Sequence, residues 1–351
     1  MSDRYQFPTL PLGRLPYLKL IIIILSLGLS TPALAQADAV AAALAQARSL
    51  ISQGQAAAAI TKLQPLPQGD ERVAQLLGAA FYMTGDHVRA VQTLTTVIDK
   101  LPKDSPSWRE TVQMLGLSHY ILGHLAEAVP LLEQTRAWLP NNIELTYALG
   151  MASIQTRQPE KAREAFARMF GVAADSPAAH LLTAQMMIRV EFEEYAETEL
   201  KKALDKDARL PQASYLLGQI AIYKGRLDDG IALMQKELAV NPGNANAYYK
   251  LGDAYTRQLR WDEAIVPLQK SVWLNPFYSG PYILLGKCYL KKKQLPTAEG
   301  MLRRAIQYDP NNKSAHYMLG QTYQQMGRSE DARREFAIAE KLQGSSDQPE
   351  K

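Results

Sequence analysis

Leu-Gly recurs along this chain at a fixed interval. The pair stands at Leu115-Gly116, Leu149-Gly150, Leu217-Gly218, Leu251-Gly252, Leu285-Gly286 and Leu319-Gly320, on a step of 34 residues, and Thr183-Ala184 fills the vacant place. A second track of small residues keeps the same step: Ala128, Ala162, Ala196, Gly230, Ala264, Ala298 and Ala332. Prolines close most units, at Pro102, Pro140, Pro242, Pro276 and Pro310. Two independent tracks in phase confine the chain to a repeat architecture, in which each short unit stacks on copies of itself.

The stretch from Asn246 to Pro276 shows what a unit becomes. Tyr248, Leu251, Gly252 and Tyr255 fall at i, i+3, i+4 and i+7, one face of a helix. Ala264, Leu268 and Ser271 mark a face on a second helix. Asn275-Pro276 ends that helix, because the residue before a proline avoids the α region. Gly252 and Ala264 leave little bulk where two helix backbones come close. Such a pair cannot bury both apolar faces alone and needs a neighbour on each side.

On these residues the chain resembles the tetratricopeptide repeat (TPR) family, whose pattern is an aromatic, Leu-Gly, Tyr, a second-helix Ala, an aromatic or Leu, and a closing Pro every 34 residues. The resemblance runs from about Glu71 to Leu342. It implies an all-α fold: a right-handed superhelical solenoid of antiparallel helix pairs, with about eight clear repeats and a degenerate N-terminal pair. The pattern has departures. His180 and His316 replace the leading aromatic, Gly230 replaces the second-helix Ala, and Ala174 and Ala208 stand in place of the closing Pro.

Met1 to Ala35 reads as a secretory signal: basic Arg4, Arg14 and Lys19, an apolar core Leu20 to Leu29, then Ala33-Leu34-Ala35 as a small-x-small cleavage site. The expectation is cleavage after Ala35 and a periplasmic or secreted protein. The alternative is a retained anchor, although a spanning helix needs about 20 apolar residues. Residues 36–70 read as a degenerate helix pair that caps the stack, residues 71–342 as the solenoid, and 343–351 as a disordered tail with Gly344 stopping the last helix. The step from Gly78 to Gly116 is 38 residues. The surplus predicts a longer loop or an extra helical turn near Lys103 to Trp108. Ser329 reads as a helix cap, and Pro159 and Pro296 as first-turn prolines.

The formal net charge is +4, and the leader holds three basic residues and one acidic, which is too balanced to imply nucleic acid. The single cysteine, Cys288, lies on a first helix, reads as a buried small residue, and has no intrachain disulfide partner. The five histidines, His87, His119, His124, His180 and His316, show no zinc spacing. No phosphate-cradling glycine loop appears. The expectation is no cofactor, no metal and no catalytic residue. Oligomeric state is not legible.

The resemblance implies that first helices line a concave face. The inward stripe then lies three residues before each repeat Gly and one, four and five after it. It collects Gln75, Tyr82, Gln113 and Tyr120, then Tyr147, Met151 and Gln155, and reads as clear of the core. The candidate partner-binding residues on it are Tyr147, Gln185, Arg189, Tyr215, Gln219, Tyr223, Tyr249, Asp253, Arg257, Lys287, Lys291, Tyr317 and Gln321. Tyrosine offers rigid apolar area with one hydroxyl, and glutamine both donates and accepts. Some members of the family grip a terminal carboxylate with paired Asn and basic residues on this face, an Asn standing after the repeat Gly or its replacement. Here that position holds Ala79, Leu117, Met151, Gln185, Gln219, Asp253, Lys287 and Gln321, so that clamp is absent. The function expected is a non-enzymatic protein–protein scaffold outside the cytoplasm that binds a protein or peptide segment, acidic where Arg257, Lys287 and Lys291 gather. The alternatives are an assembly or secretion factor for an envelope protein or polysaccharide complex, and an enzyme with an unrecognised site. No span is expected in the mature chain.

Overall fold

A computed structural model describes residues 31–346. Among them lie eighteen helices and no strand: α1 Thr31–Ser52, α2 Ala56–Leu63, α3 Glu71–Met83, α4 His87–Thr95, α5 Pro106–Ile121, α6 Leu125–Trp138, α7 Ile143–Gln155, α8 Pro159–Met169, α9 Pro177–Arg189, α10 Glu193–Lys206, α11 Ala213–Tyr223, α12 Leu227–Val240, α13 Ala245–Arg257, α14 Trp261–Leu274, α15 Ser279–Lys291, α16 Leu295–Tyr308, α17 Lys313–Gln325 and α18 Ser329–Ser346. Short loops join them, so neighbours run antiparallel. The fold is the all-α helix-pair solenoid that the period predicts. The chain divides into two compact units, Met1–Ala152 and Ser153–Lys351.

In the first unit α1 and α2 form a pair that packs on α3. Val40, Leu44, Ala47, Ala59 and Leu63 join Val73, Leu77 and Phe81 in one core. Gly54 and Gly85 both take positive φ, and Ala59 and Ala90, five residues on from each, are fully buried. The surplus residues near Lys103 become an extra turn: α5 starts ten residues before Gly116, whereas α13 starts seven before Gly252. Ser105 caps α5 by accepting from Trp108 N. Most of the leader lies outside the described residues; α1 takes in Thr31–Ala35.

In the second unit the two small-residue tracks meet. Leu268 is fully buried, and a Cβ built at Gly252 would overlap its Cγ, so α13 and α14 approach only because position 252 lacks a side chain. Ala264, Ala298, Ala196 and Ala162 are fully buried at the matching contacts. From α11 onward each first helix also touches the next first helix, α11 on α13, α13 on α15 and α15 on α17, which makes one continuous layer of first helices. Ionic stitches tie the pairs together. Glu197 on α10 accepts from Arg226 (2.8 Å), Lys201 (3.0 Å) and Lys224 (3.2 Å). Burial alone would raise its carboxyl, but those three donors hold it at about 2.

Three sequence expectations are corrected. Ser329 is the first residue of α18 rather than its cap, since Ala332 N already donates to the Arg328 carbonyl. Gly344 does not stop α18, which continues to Ser346; the tail beyond lies outside the described residues. Gln75 and Met151 are buried, at 5% and 7% exposure, because their helices, α3 and α7, are enclosed over most of their length.

Candidate functional site: the first-helix layer

Asparagine or serine starts most first helices in step: Asn142, Ser176, Asn244 and Asn312 each accept from the backbone N–H three residues on. Tyr278 occupies that place at the start of α15 and caps nothing. Its ring instead meets Tyr249 edge-on, with centroids 5.2 Å apart. Gly280 makes the room, since a Cβ there would lie 2.9 Å from the Tyr278 Cζ. Burial first, then Tyr278, pushes the Tyr249 phenol well up. The same two causes raise Tyr215, so Tyr215 and Tyr249 are both neutral at physiological pH.

The charges on the layer differ in what they meet. Arg257 pairs with Asp253 one turn back (3.0 Å) and donates to the Ile222 carbonyl (3.5 Å). Gln185 donates to Gln212 Oε1 (3.2 Å). At the end of α15, Lys292 is paired with Asp262 and Lys293 donates to Gln325 (3.0 Å). Arg189, Lys287 and Lys291 have no carboxylate partner among the described residues, and neither does Lys250, whose Nζ lies 5.5 Å from the Tyr249 ring centroid. A shallow pocket of about 230 Å³ opens between α9, α11 and α13. It gathers Gln219, Tyr223 and Arg257 with Ile188, Ile222 and Lys250.

A family model described as Tetratricopeptide repeat matches residues 120–186 and 289–347, and a second of the same description matches 215–272. Together they span more than half of the 351 residues. The chain belongs to the tetratricopeptide repeat family. The match carries its assignment as a protein–protein interaction scaffold. No curated protein matches this TPR chain. Solved structures similar to it include MamA from Desulfovibrio magneticus RS-1, at 22% identity and a TM-score of 0.46, over 50% of this chain and 98% of that one. YrrB, described as a TPR protein with an unusual peptide-binding site, gives 23% and 0.47 over 52% and 94%. PilF of Pseudomonas aeruginosa gives 16% and 0.47 over 57% and 91%.

The TPR layer places the candidate residues as follows. Tyr223 and Tyr317 stand out at 80% and 50% exposure. Arg189, Arg257 and Lys291 are exposed, and Gln185, Tyr215, Gln219, Tyr249, Asp253, Lys287 and Gln321 are half-buried. Gln219, Tyr223 and Arg257 come together in the one pocket, and Tyr317 lies against Phe336 on α18 (5.5 Å). Tyr147 belongs to the first unit and is 37% exposed. Sequence reasoning missed Lys250 and Tyr278. Each left a signal: Tyr278 breaks the run of caps, and Lys250 stands two residues before its repeat Gly, where Met114, Ala148, Leu182, Leu216, Leu284 and Met318 are all apolar.

Two histidines on these first helices, His180 and His316, are buried and do structural work. His180 sets Nδ1 on Glu199 (2.7 Å) and Nε2 on Asp175 (3.3 Å). His316 Nε2 donates to the Pro310 carbonyl (3.0 Å), as the hydroxyl of its sister Tyr282 does to Pro276 (3.0 Å). Among the described residues no group of metal-ligating side chains could hold an ion, and no helix is long and apolar enough to cross a membrane.

Proposed function

We propose that this TPR protein is a non-enzymatic scaffold outside the cytoplasm, and that the first-helix layer of its second unit holds an acidic segment of a partner protein. One observation carries the reading: Arg189, Lys250, Lys287 and Lys291 stand on that layer without a carboxylate of their own, and Lys250 lies beside Tyr249, which meets Tyr278. Cations near a helix C-terminus are favoured by the macrodipole. That accounts for Lys291, Lys292 and Lys293 but not for Lys287, a full turn inside α15. The Lys287→Glu, Lys291→Glu double variant is expected to keep its fold and lose recovery of its partner from envelope fractions. Wild-type recovery is expected to fall as salt rises. Full recovery by the folded double variant at low salt would rule the binding role out.

Location outside the cytoplasm rests on the order of basic, apolar and small residues in Met1 to Ala35. The native protein is expected to begin at Gln36. N-terminal sequencing decides it, and an intact Met1 chain in the membrane fraction would point to an anchor instead.

A further inference from the structure

We infer that the pocket between α9, α11 and α13 reads one apolar side chain of the partner, with the partner's acidic run extending from it on one side only. This rests on the proposal that the layer binds an acidic segment. Ile188, Ile220 and Ile222 line the pocket, the last two buried, beside Tyr223, which is 80% exposed. An apolar lining beside an exposed aromatic suits a side chain that leaves water on binding.

The repeats supply the internal comparison. At the position of Lys250 all six sisters named above carry an apolar residue, so the repeat does not need a cation there. At the position of Tyr223 the sisters are Met83, Ile121, Gln155, Arg189, Arg257, Lys291 and Gln325, none of them aromatic, so the repeat does not need an aromatic there either. Both departures fall on the same pocket. Unit packing asks for neither, which leaves a ligand as the common cause.

Charge fixes the direction. Lys250 and Arg257 stand on the α13 side, and the next first helix, α15, brings Lys287 and Lys291. On the opposite side Glu193, in the first turn of α10, lines the pocket. Arg189, at the end of α9, offers one cation on that side against Glu193, and Arg257 is already paired with Asp253, whereas Lys250, Lys287 and Lys291 stand on the other side, so an acidic run is attracted more strongly across α13 toward α15. The partner segment carries an apolar anchor with carboxylates following it in one chain direction.

The test uses capped, fluorescein-labelled peptides, so that no terminal carboxylate takes part. One series is Ser-Gly-Leu-Glu-Asp-Glu-Gly and a second is its reverse. In each, Leu is replaced by Gly, and separately the acids are replaced by Lys. In one of the two orientations the Leu peptide is expected to bind wild type about ten-fold more tightly than its Gly counterpart, the scale of side-chain discrimination by an apolar pocket. Tyr223→Ala is expected to erase most of that ratio. Lys250→Leu installs the residue that sisters Leu216 and Leu284 already carry, so the fold is expected to stand while acidic-peptide affinity and its salt dependence fall. Equal binding of Leu and Gly peptides in both orientations overturns the anchor. The layer's acidic preference then still stands if that binding is lost in Lys287→Glu with Lys291→Glu. Equal binding of the Lys-substituted peptides, or no binding of any peptide at millimolar concentration and low salt, overturns both.

Discussion

Glu199→Ala is expected to cost about 3–5 kcal/mol, the scale for leaving buried charged partners unmatched. Glu199 is 1% exposed and receives His180 Nδ1 (2.7 Å), Lys202 (2.9 Å) and Arg163 (3.3 Å). His180 is itself buried, and the Arg163 side chain is 14% exposed, so neither can turn to water when the carboxylate goes. At roughly 2–4 °C per kcal/mol for a body of this size, the melting temperature should fall by about 6–20 °C. A sister repeat suggests the rescue. Tyr282 and Met301 occupy the positions of His180 and Glu199, and that repeat packs without the ion pair. His180→Tyr with Glu199→Met should therefore recover much of the loss. pH gives a second readout. Burial would raise the Glu199 carboxyl, but the Lys202 and His180 hydrogen bonds outweigh it and hold the group below its ordinary value. The folded pKa is thus the lower one. Its contribution is fully present above about pH 4.3, the ordinary glutamate value, and is lost as pH falls through the folded pKa. The gap between wild type and Glu199→Gln should narrow on acidification. A Glu199→Ala variant that melts within a degree of wild type would show that this cluster contributes nothing.

Ala264→Leu is the second large effect, at about 1–3 kcal/mol for overpacking a filled contact. Ala264 is fully buried on α14, at the approach to α13 that Gly252 permits. Ala337→Leu is the matched control: it lies on the exposed face of α18 and should stay within about 0.5 kcal/mol. Because a solenoid is held by nearest-neighbour contacts, the damage should spread mainly to adjacent pairs. Hydrogen exchange should show protection lost first in α13 to α15, with α17 and α18 less affected. Equal melting shifts for the two variants would mean that the helix faces are reversed.

The fold was legible because a solenoid repeats its own packing problem. Gly252, Ala264 and Leu268 meet at one contact, and that contact recurs on a fixed step, so a single chain contains several solutions to one constraint. The extra turn at the start of α5 was legible for the same reason, as a break in the count between Gly78 and Gly116. The proposed binding layer was legible only in outline. A fixed offset from the repeat Gly found Tyr223, Arg257 and Lys287, but it swept in Gln75 and Met151, which their neighbours bury.

The sequence by itself determined the helix pairs, their order, and the side of each helix that must face another, because local periodicity and small-residue spacing specify these. The tertiary structure alone decided which charges are already satisfied. Lys291 and Lys292 are adjacent in sequence and chemically alike, yet Lys292 meets Asp262 from the start of α14, thirty residues away, and Lys291 meets no carboxylate. It also decided that His180 and Glu199, nineteen residues apart on different helices, share a buried hydrogen bond. Periodicity places a residue on a face. What stands opposite that face depends on how neighbouring pairs stack, and that is fixed only when the whole layer closes.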